Sequence, residues 1–250
     1  MNEPPIRYYL QGVDSAQAWQ YSDTWPLKDQ DLVRYYFGPG DADGKVSINS
    51  GLLQIEPPAG SQAMDTYTVD YTTTSGNKPR WTGLATPHEY PNMRANDVKA
   101  LTYTTPAFDA PLNVIGHPVA HVWLSSDAPD LDIVAYLEVV DSKGNSTYIT
   151  QGNLRASHRA LSQAPFDNFG LPWHNHFESE LQPLPANEPV ELVFDLLPTA
   201  YHFSPGSYMR ITIAFADAGN FETPILNPAP VVYLLRDAVH ASYVEIPIRH

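Results

Sequence analysis

The sequence predicts an all-β fold, a jelly-roll β-sandwich with only short helical turns. Apolar and polar residues alternate with a period of two, most clearly at Val190, Leu192, Phe194 and Leu196, as in half-buried strands. The chain has 24 prolines in 250 residues, more than the roughly 5% of an average protein, and proline favours turns over helices. Many short strands joined by long, proline-bearing connections are typical of a jelly roll rather than an up-and-down barrel.

The predicted elements follow from this alternation. Leu131–Val140 is apolar on both faces, as in a central strand, and the turn residues after it predict a hairpin with Ser146–Thr150. Short helical turns are predicted only at Asp14–Trp19, with Asp14 as the N-cap, and at Asn92–Lys99. About nine or ten strands are expected, among them Leu32–Phe37, Thr66–Tyr71, Pro118–Ser125, Leu131–Val140, Ser146–Thr150, Val190–Leu196, Met209–Phe215, Val231–Leu235 and Val244–Ile248.

The chain is expected to form one domain over residues 1–250, with initial strands and long loops in 1–105 and the main sandwich motifs in 106–250. The proline-rich connections at 56–59, 181–189 and 223–230 predict loops. None of them is a long Gly/Ser linker that would divide the chain. The sequence has no internal repeat, which argues against propellers and solenoids.

The composition excludes several classes of partner. With 14 Lys and Arg against 28 Asp and Glu, the formal net charge is −14 at pH 7, which disfavours nucleic acid and anionic membrane surfaces. The chain has no cysteine, so disulfides, thiolate catalysis and zinc ribbons are excluded. The sequence has neither a recognisable leader nor an apolar stretch of membrane-spanning length. A cytoplasmic location is therefore favoured, and a longer parent chain that carries a signal stays open.

No catalytic residue and no cofactor are predicted for this chain. The nucleophile motif G-x-S-x-G of α/β-hydrolases is missing, and its nearest approach places Ser146 beside a hairpin turn. P-loop and dinucleotide-binding glycine patterns are missing as well. His88 and Glu89 are followed by Tyr90 and Pro91, which breaks the spacing of a zinc protease helix.

No metal site is predicted either, although two groups of residues are candidates. His174 and His176, with Glu180, could place two imidazoles on one face of a strand, but Pro172 and Trp173 before them indicate a loop with exposed or stacked histidines. Asp127, Asp130 and Asp132 could hold calcium. The alternative for this group is that Asp127 and Asp130 flank Pro129 as turn residues.

Two further patterns have both a binding and a structural interpretation. Arg155 and Arg159 could form an anion-binding edge, but in a chain with few cations we expect a structural ion pair between Asp132 and Arg155. Exposed aromatic rings could stack on sugars, and the candidates are Trp25, Trp81, Tyr90 and Trp173. Because most aromatic residues of a β protein lie in its core, the sequence leaves sugar binding open.

Several motifs follow one another in a fixed order along nearly the whole chain. They are Pro5–Gly12 with Trp19 and Trp25-Pro26; Asp65, Tyr67, Val69 and Asp70; Asp97, Val98, Leu101 and Tyr103–Pro106; Gly116 and Pro118; Ser125–Asp132; Gly152, Leu154, Arg155 and Arg159; and Leu197–Ala200, Phe203, Pro205, Gly206 and Arg210. Together they resemble the C-terminal domain of the X-Pro dipeptidyl-peptidase and cocaine-esterase family of serine hydrolases. Tyr71 and Ser207 depart from the family pattern, which has proline and histidine at these places.

The resemblance implies a jelly roll similar to galactose-binding domains, attached to an α/β-hydrolase domain in the same or a separate chain. The family's catalytic Ser, Asp and His all precede the jelly roll, so no catalytic residue is carried over and the chain is expected to be inactive on its own. Its implied role is to pack on the hydrolase domain, help wall the acyl or Xaa-Pro pocket and support homo-oligomers. Such a role predicts a large exposed apolar patch.

Two other functions stay open from the sequence. One is an independent carbohydrate-binding jelly-roll module that uses loop aromatics. The other is an enzyme in its own right that holds a metal on His174 and His176. A sandwich fold alone does not distinguish these functions, because it hosts many of them.

Overall fold

Strands dominate the computed structural model, which describes residues 3–40, 46–76 and 90–249. The only α-helix in these ranges is α1, Arg94–Asp97, and 3-10 turns lie at Ala156–His158 and Glu178–Glu180. The strands are β1 Ile6–Tyr9, β2 Trp19–Ser22, β3 Gln30–Gly38, β4 Gly51–Gln54, β5 Met64–Thr68, β6 Leu101–Thr104, β7 Leu112–Gly116, β8 Val119–Ser126, β9 Asp132–Val140, β10 Ser146–Arg155, β11 Val190–Asp195, β12 Thr199–Phe203, β13 Tyr208–Ala214, β14 Val231–Leu235 and β15 Tyr243–Arg249.

The strands form an all-β sandwich, as the sequence predicts. The main sheet has the order β10-β9-β13-β6-β4-β3-β15-β8-β14-β5, with β11 paired to β8 and the β7–β12 pair joined to β15. All of these pairs are antiparallel except β4 with β6. Strands β1 and β2 form a separate two-stranded antiparallel sheet. Folding this connected sheet back on itself buries one face of nearly every strand in a shared core.

The core contains the alternating residues that predicted the strands. Leu192, Phe194 and Leu196 are buried, and so is the apolar run of β9. Phe37 and Tyr103 stack at its centre, with ring centroids 4.1 Å apart and planes 8° apart. This burial is the main source of stability, because each buried large apolar side chain contributes about 1.5–3 kcal/mol.

All nine strands named above are confirmed, with ends displaced by a few residues. The hairpin of β9 and β10 is confirmed too: the amide of Gly144 donates to the carbonyl of Asp141 at 2.9 Å. Strand β5 ends earlier than predicted because the side chain of Asp70 accepts from the Thr72 amide in a local turn. The six strands that the alternation missed are β1, β2, β4, β6, β7 and β12, each four or five residues long.

The two helix predictions have different outcomes. Asn92–Lys99 contains α1, where the side chain of Asn92 accepts from the Arg94 amide at 3.0 Å. At Asp14–Trp19 a single turn forms, shorter than predicted, and the atom that accepts from the Gln17 amide at 2.8 Å is the main-chain carbonyl oxygen of Asp14 and not its side chain. Trp19 already begins β2, because its pairing with β1 replaces the helical hydrogen bonds.

Strands from both parts of the chain interleave. Strand β3 pairs with β15, β5 with β14 and β6 with β13. These pairings support the single-domain organisation, which stays a prediction. No helix in the described ranges is long and apolar enough to cross a membrane.

Gly152 in β10 provides a test of this packing. A Cβ added there would overlap the carbonyl oxygen of Asp195 and lie 3.0 Å from its carbonyl carbon, whereas one added at Gly60 would meet nothing within 4 Å. We expect Gly152→Ala to lower the free energy of unfolding by about 1–3 kcal/mol through overpacking, and Gly60→Ala to leave it within about 1 kcal/mol. Urea unfolding measures both values, and equal stability of the two variants would contradict the described contact between β10 and Asp195.

Candidate docking groove and buried ion pairs

A groove of about 420 Å³ opens between the loop 161–173 and the strands β3, β8 and β15. Its lining is mainly apolar and aromatic, and it includes Trp25, Pro26, Leu32, Leu161, Phe169, Leu171, Pro172, Trp173, Val193 and Pro247. Leu32, Leu161 and Phe169 are 50% to 61% exposed. Single exposed apolar side chains are ordinary, but a contiguous group of them marks an interaction site. We name the surface formed by Trp25, Leu32, Leu161, Phe169 and Trp173 the docking groove.

Hydrogen bonds hold the loop that forms one wall of the docking groove. The Ser162 amide donates to the Trp173 carbonyl at 2.8 Å, and the Trp173 indole donates to Asn175 Oδ1 at 2.9 Å. The Asn175 side chain in turn donates to Ser162 Oγ at 3.0 Å. The wall is therefore preformed, which lowers the entropic cost of binding a partner.

The polar side chains around the groove do not form a catalytic triad. His117 Nδ1 lies 3.4 Å from Asp195 Oδ2, and His121 Nδ1 lies 3.2 Å from Glu191 Oε1. Neither imidazole is hydrogen-bonded to a serine hydroxyl in the part of the chain that the structure describes. Gln30 also lines the groove, and its buried Oε1 has no hydrogen-bond partner among the described residues.

The histidine candidates for a metal site are engaged in other contacts. His174 Nε2 lies 2.9 Å from the Val193 carbonyl oxygen and its Nδ1 lies 3.2 Å from that of Ala160. Both nitrogens therefore face acceptors, and neither presents a lone pair to a metal ion. Partial burial, together with nearby His158 and His174, lowers the pKa of His176, whose ring is 5.8 Å from that of His174.

Two of the three aspartates suggested for calcium each fix a different piece of backbone, and the third, Asp132, pairs with the Arg155 side chain. Asp127 Oδ1 accepts from the amide of Val231 at 3.2 Å. Asp130 accepts from the amide and the hydroxyl of Ser157 at 2.9 and 2.8 Å. Across residues 3–40, 46–76 and 90–249, no group of three or more ligating side chains is placed to hold a metal ion.

Asp132 and Arg155 lie opposite each other at the open end of the β9–β10 hairpin. Arg155 Nε donates to Asp132 Oδ1 at 2.8 Å, and Nη2 lies 3.3 Å from Oδ2. The Arg155 guanidinium also donates to the Glu222 carbonyl at 3.3 Å. Because the arginine is partly exposed, such a pair contributes only about 0–1 kcal/mol, and its structural role stays a prediction.

A buried ion pair joins α1 to β13. Arg210 Nη1 donates to Asp97 Oδ2 at 2.7 Å, and both side chains are almost inaccessible to solvent. Arg210 Nε donates to Thr104 Oγ1 on β6 at 2.9 Å. Ser146 and Glu138 lie next to this pair, and the buried Ser146 hydroxyl donates to Glu138 Oε2. Ser146 is therefore a buried structural hydroxyl and not an accessible nucleophile.

Two acids, Asp97 and Glu138, lie close to the single guanidinium of Arg210. Burial raises the pKa of the Glu138 carboxyl well above its usual range, and the nearby charge of Asp97 raises it further. Burial also raises the pKa of Asp97, and the Arg210 guanidinium opposes this effect. Because Asp97 makes the direct contact with Arg210, we expect Asp97 to be the ionised acid and Glu138 the protonated one.

A second buried carboxylate, Asp65 on β5, ties together three segments. It accepts from the Tyr103 hydroxyl at 2.7 Å, from Arg236 Nε at 3.0 Å and from the Asn49 amide group at 3.1 Å. Burial raises the pKa of Tyr103 well above its usual range, and Asp65 reinforces this. Asp65, Asp97 and Arg210 all belong to the ordered motifs of the sequence, and each is engaged in structural contacts.

The proposed sugar-stacking aromatics are divided among different places. Trp25 and Trp173 both line the docking groove. Tyr90 lies parallel to Tyr148, with ring centroids 6.0 Å apart. Trp81, like His88 and Glu89, lies outside the described residues.

The groove itself was not predicted from the sequence, because its residues come from β3, β8, β15 and a loop that are distant in the chain.

Comparison with known proteins gives consistent matches. The family model described as the X-Pro dipeptidyl-peptidase C-terminal non-catalytic domain matches residues 1–230. A putative serine esterase of Mycobacterium bovis is 36% identical over 251 residues, which cover 99% of this chain and 38% of that protein. The cocaine esterase of Rhodococcus sp. is 24% identical over 227 residues, which cover 88% of this chain and 35% of that protein.

A solved structure agrees in fold. The aminopeptidase from the marine sediment archaeon Thaumarchaeota archaeon superposes with a TM-score of 0.74 at 20% identity, covering 100% of this chain and 41% of that one. At this identity the match shows the fold alone. The chain thus spans about two fifths of the length of the proteins that it resembles.

The protonated Glu138 predicts a specific dependence of stability on pH. An acid whose pKa is raised in the folded state stabilises the fold below its unfolded pKa, and this stabilisation is lost as the pH rises through the folded value. We expect Glu138→Gln to flatten this decline and to raise the free energy of unfolding by about 1 kcal/mol or more at mildly alkaline pH. Urea unfolding over a pH series measures this, with the exposed Glu188→Gln as the control. Identical pH profiles for wild type and Glu138→Gln would show that Glu138 is ionised.

Proposed function

Because this chain belongs to the family of X-Pro dipeptidyl-peptidase C-terminal non-catalytic domains, we propose that it is the β-sandwich part of a serine hydrolase of the esterase or dipeptidyl-peptidase type. In this role it packs on an α/β-hydrolase domain and shapes the substrate pocket of that domain. The observation that carries the proposal is the match to 99% of this chain but only 38% of a putative serine esterase.

The docking groove is the surface proposed to meet the hydrolase domain. A stable interface buries about 800 Å² on each partner, and its centre is formed by large apolar and aromatic side chains that become fully desolvated. Leu32, Leu161 and Phe169 supply such side chains on the rim, and Trp25 and Trp173 supply them on the walls. A hydrolase domain that covers these side chains would remove their apolar surface from water. Because hydrogen bonds already order the loop that forms the wall, binding would not have to order it.

In the assembled enzyme, the chemistry belongs to the hydrolase domain. Acyl transfer requires a nucleophile, a base that accepts its proton and N–H donors for the oxyanion. The contribution of this chain is to exclude water from the pocket and to fix its shape, which strengthens the electrostatic interactions within it. In a homo-oligomer, the same surfaces of several copies of the chain would lie next to one another.

Carbohydrate binding is a second candidate function because Trp25 and Trp173 line the same groove as Gln30 and Glu245. Indole rings stack on sugar faces, and the carboxylate of Glu245 could accept from hydroxyl groups. A glycan array with the purified chain tests this directly. Specific binding that is lost in Trp173→Ala would favour it over the docking role.

The docking role can be tested in a chimera of the M. bovis putative serine esterase in which this chain replaces the matched residues. We expect the double variant Leu161→Asp/Phe169→Asp to reduce esterase activity at least about tenfold and to separate thermal unfolding into two transitions, since a charge in a desolvated interface costs several kcal/mol. The isolated chain with the same substitutions should keep its melting temperature, because both side chains are exposed. Ile225→Asp, at an apolar residue outside the groove that is even more exposed, is the control.

Two outcomes would contradict the docking role. An active chimera whose activity and unfolding are the same with and without the two groove substitutions would show that the docking groove is not covered. A chimera whose unaltered sandwich unfolds separately from the hydrolase part would show that the two do not pack together.

A further inference from the structure

The loop at 161–173 carries an aromatic side chain on a turn that disfavours one. Phe169 has a φ of 61°, and Gly170 follows it with a φ of 75°. The Leu171 amide donates to the Asn168 carbonyl at 3.2 Å, which closes a four-residue turn over 168–171. Positive φ at both central positions is typical of a type I′ turn, which favours Asn, Asp or Gly there. A phenylalanine at the first central position is therefore strained.

Phe169 differs from the other residues in this backbone conformation. In the part of the chain that the structure describes, the non-glycine residues with a positive φ are Ser50, Gln62, Phe169, His176 and Asn187. The other four are polar, and short polar side chains tolerate the conformation best because they can form hydrogen bonds with the nearby backbone. A strained apolar residue persists only where its surroundings hold it, and such outliers are concentrated at functional sites.

Hydrogen bonds on both sides of Phe169 hold the turn in this conformation. The Phe169 amide donates to Asp167 Oδ1 at 3.0 Å, and Asn168 Nδ2 donates to the Leu171 carbonyl at 2.7 Å. The side chain of Phe169 is nevertheless 50% exposed. Burial within this chain therefore compensates only in part for the strain.

Phe169 lies on a ridge between two cavities. It lines the docking groove together with Trp25 and Leu161, and it lines a neighbouring cavity of about 260 Å³ together with Phe166 and Asp195. A ring on such a ridge is placed to enter a pocket in a partner that covers the groove.

The proposed partner would enter beside this ridge. The family is described as a C-terminal domain, so a hydrolase part of the same chain would precede β1. Tyr8 of β1 packs with Trp25, their ring centroids lying 6.3 Å apart, and Trp25 lines the groove with Phe169. The matched region is only 38% of the putative serine esterase, so the larger part of such an enzyme lies outside this domain.

We propose that Phe169 is the anchor of the docking groove: its ring inserts into an apolar pocket of the hydrolase domain, and the strained turn holds it ready for that contact. This inference rests on the proposed function. Buried aromatic side chains near the centre of an interface are common hot spots, and a side chain that is fixed before binding loses less entropy on docking. The isolated chain bears the strain, and only the assembled enzyme gains from the ring.

Phe169→Asn tests the proposal, because asparagine suits the turn and lacks the ring. In the isolated chain we expect the melting temperature to rise by about 2–4 °C as the strain is relieved. The aspartate of the groove variant does not give this rise, because it brings a second carboxylate next to Asp167. In the chimera with the M. bovis enzyme, we expect Phe169→Asn to accelerate proteolytic cleavage between the two parts at least about tenfold, since an interface opens more often without its anchor.

Two further variants serve as controls. Gln62 has the same φ of 61° at an exposed position outside the groove, so Gln62→Asn should relieve strain in the same way and change the cleavage rate of the chimera less than about twofold. Phe169→Tyr keeps both the ring and the strain. It should leave the melting temperature unchanged and accelerate cleavage less than Phe169→Asn does.

The outcomes separate this inference from the proposed function. If Phe169→Asn lowers the melting temperature of the isolated chain, the ring stabilises its own loop and the inference is overturned. If Phe169→Asn cleaves like Gln62→Asn while the groove variant still separates the two parts, the inference is overturned and the docking role stands. If neither variant changes the chimera, both are overturned. If Phe169→Asn converts a dimer of the isolated chain to a monomer in sedimentation, the pocket belongs to a second copy and the inference is wrong.

Discussion

The desolvated ion pair between Asp97 and Arg210 is the constraint around which the sandwich is arranged. Charges removed from water must be neutralised nearby, and here one guanidinium on β13 meets a carboxylate that only α1 can deliver. Burial and the nearby Asp97 raise the pKa of the second acid, Glu138, well above its usual range. These contacts hold helix α1 and strands β6, β9, β10 and β13 in one arrangement. The ion pair between Asp65 and Arg236 likewise fixes the position of β5.

The charged residues of the ordered motifs therefore have structural roles, which are distinct from the proposed function of the chain. Asp65, Asp97 and Arg210, which belong to the ordered motifs, are engaged in contacts within the chain, and His117, His121 and His174 contact carboxylates or carbonyls. The outer surface carries the docking groove, whose lining is mainly apolar and aromatic. The proposed role in packing and in excluding water agrees with the description of its family as non-catalytic.

The period-two alternation predicted the fold class and the longer strands, because it reflects burial of one face and depends only on neighbouring residues. The short strands β1, β2, β4, β6, β7 and β12 were missed since four or five residues hold too little alternation, and the turn after Asp14 resembled a helix start. Asp132 and Arg155 were named as a pair because they bracket one hairpin. The docking groove could not be predicted, since Leu32, Leu161 and Pro247 meet only in three dimensions.

The most direct test of the central claim is the activity of the purified 250-residue chain. A p-nitrophenyl ester and an Ala-Pro anilide would be offered as substrates, and intact mass would be measured after exposure to a serine-directed phosphonate. The account predicts no turnover above the rate in buffer and no covalent adduct, because acyl transfer requires the hydrolase domain. Specific turnover together with a single adduct would show that the chain carries its own nucleophile and would contradict the account.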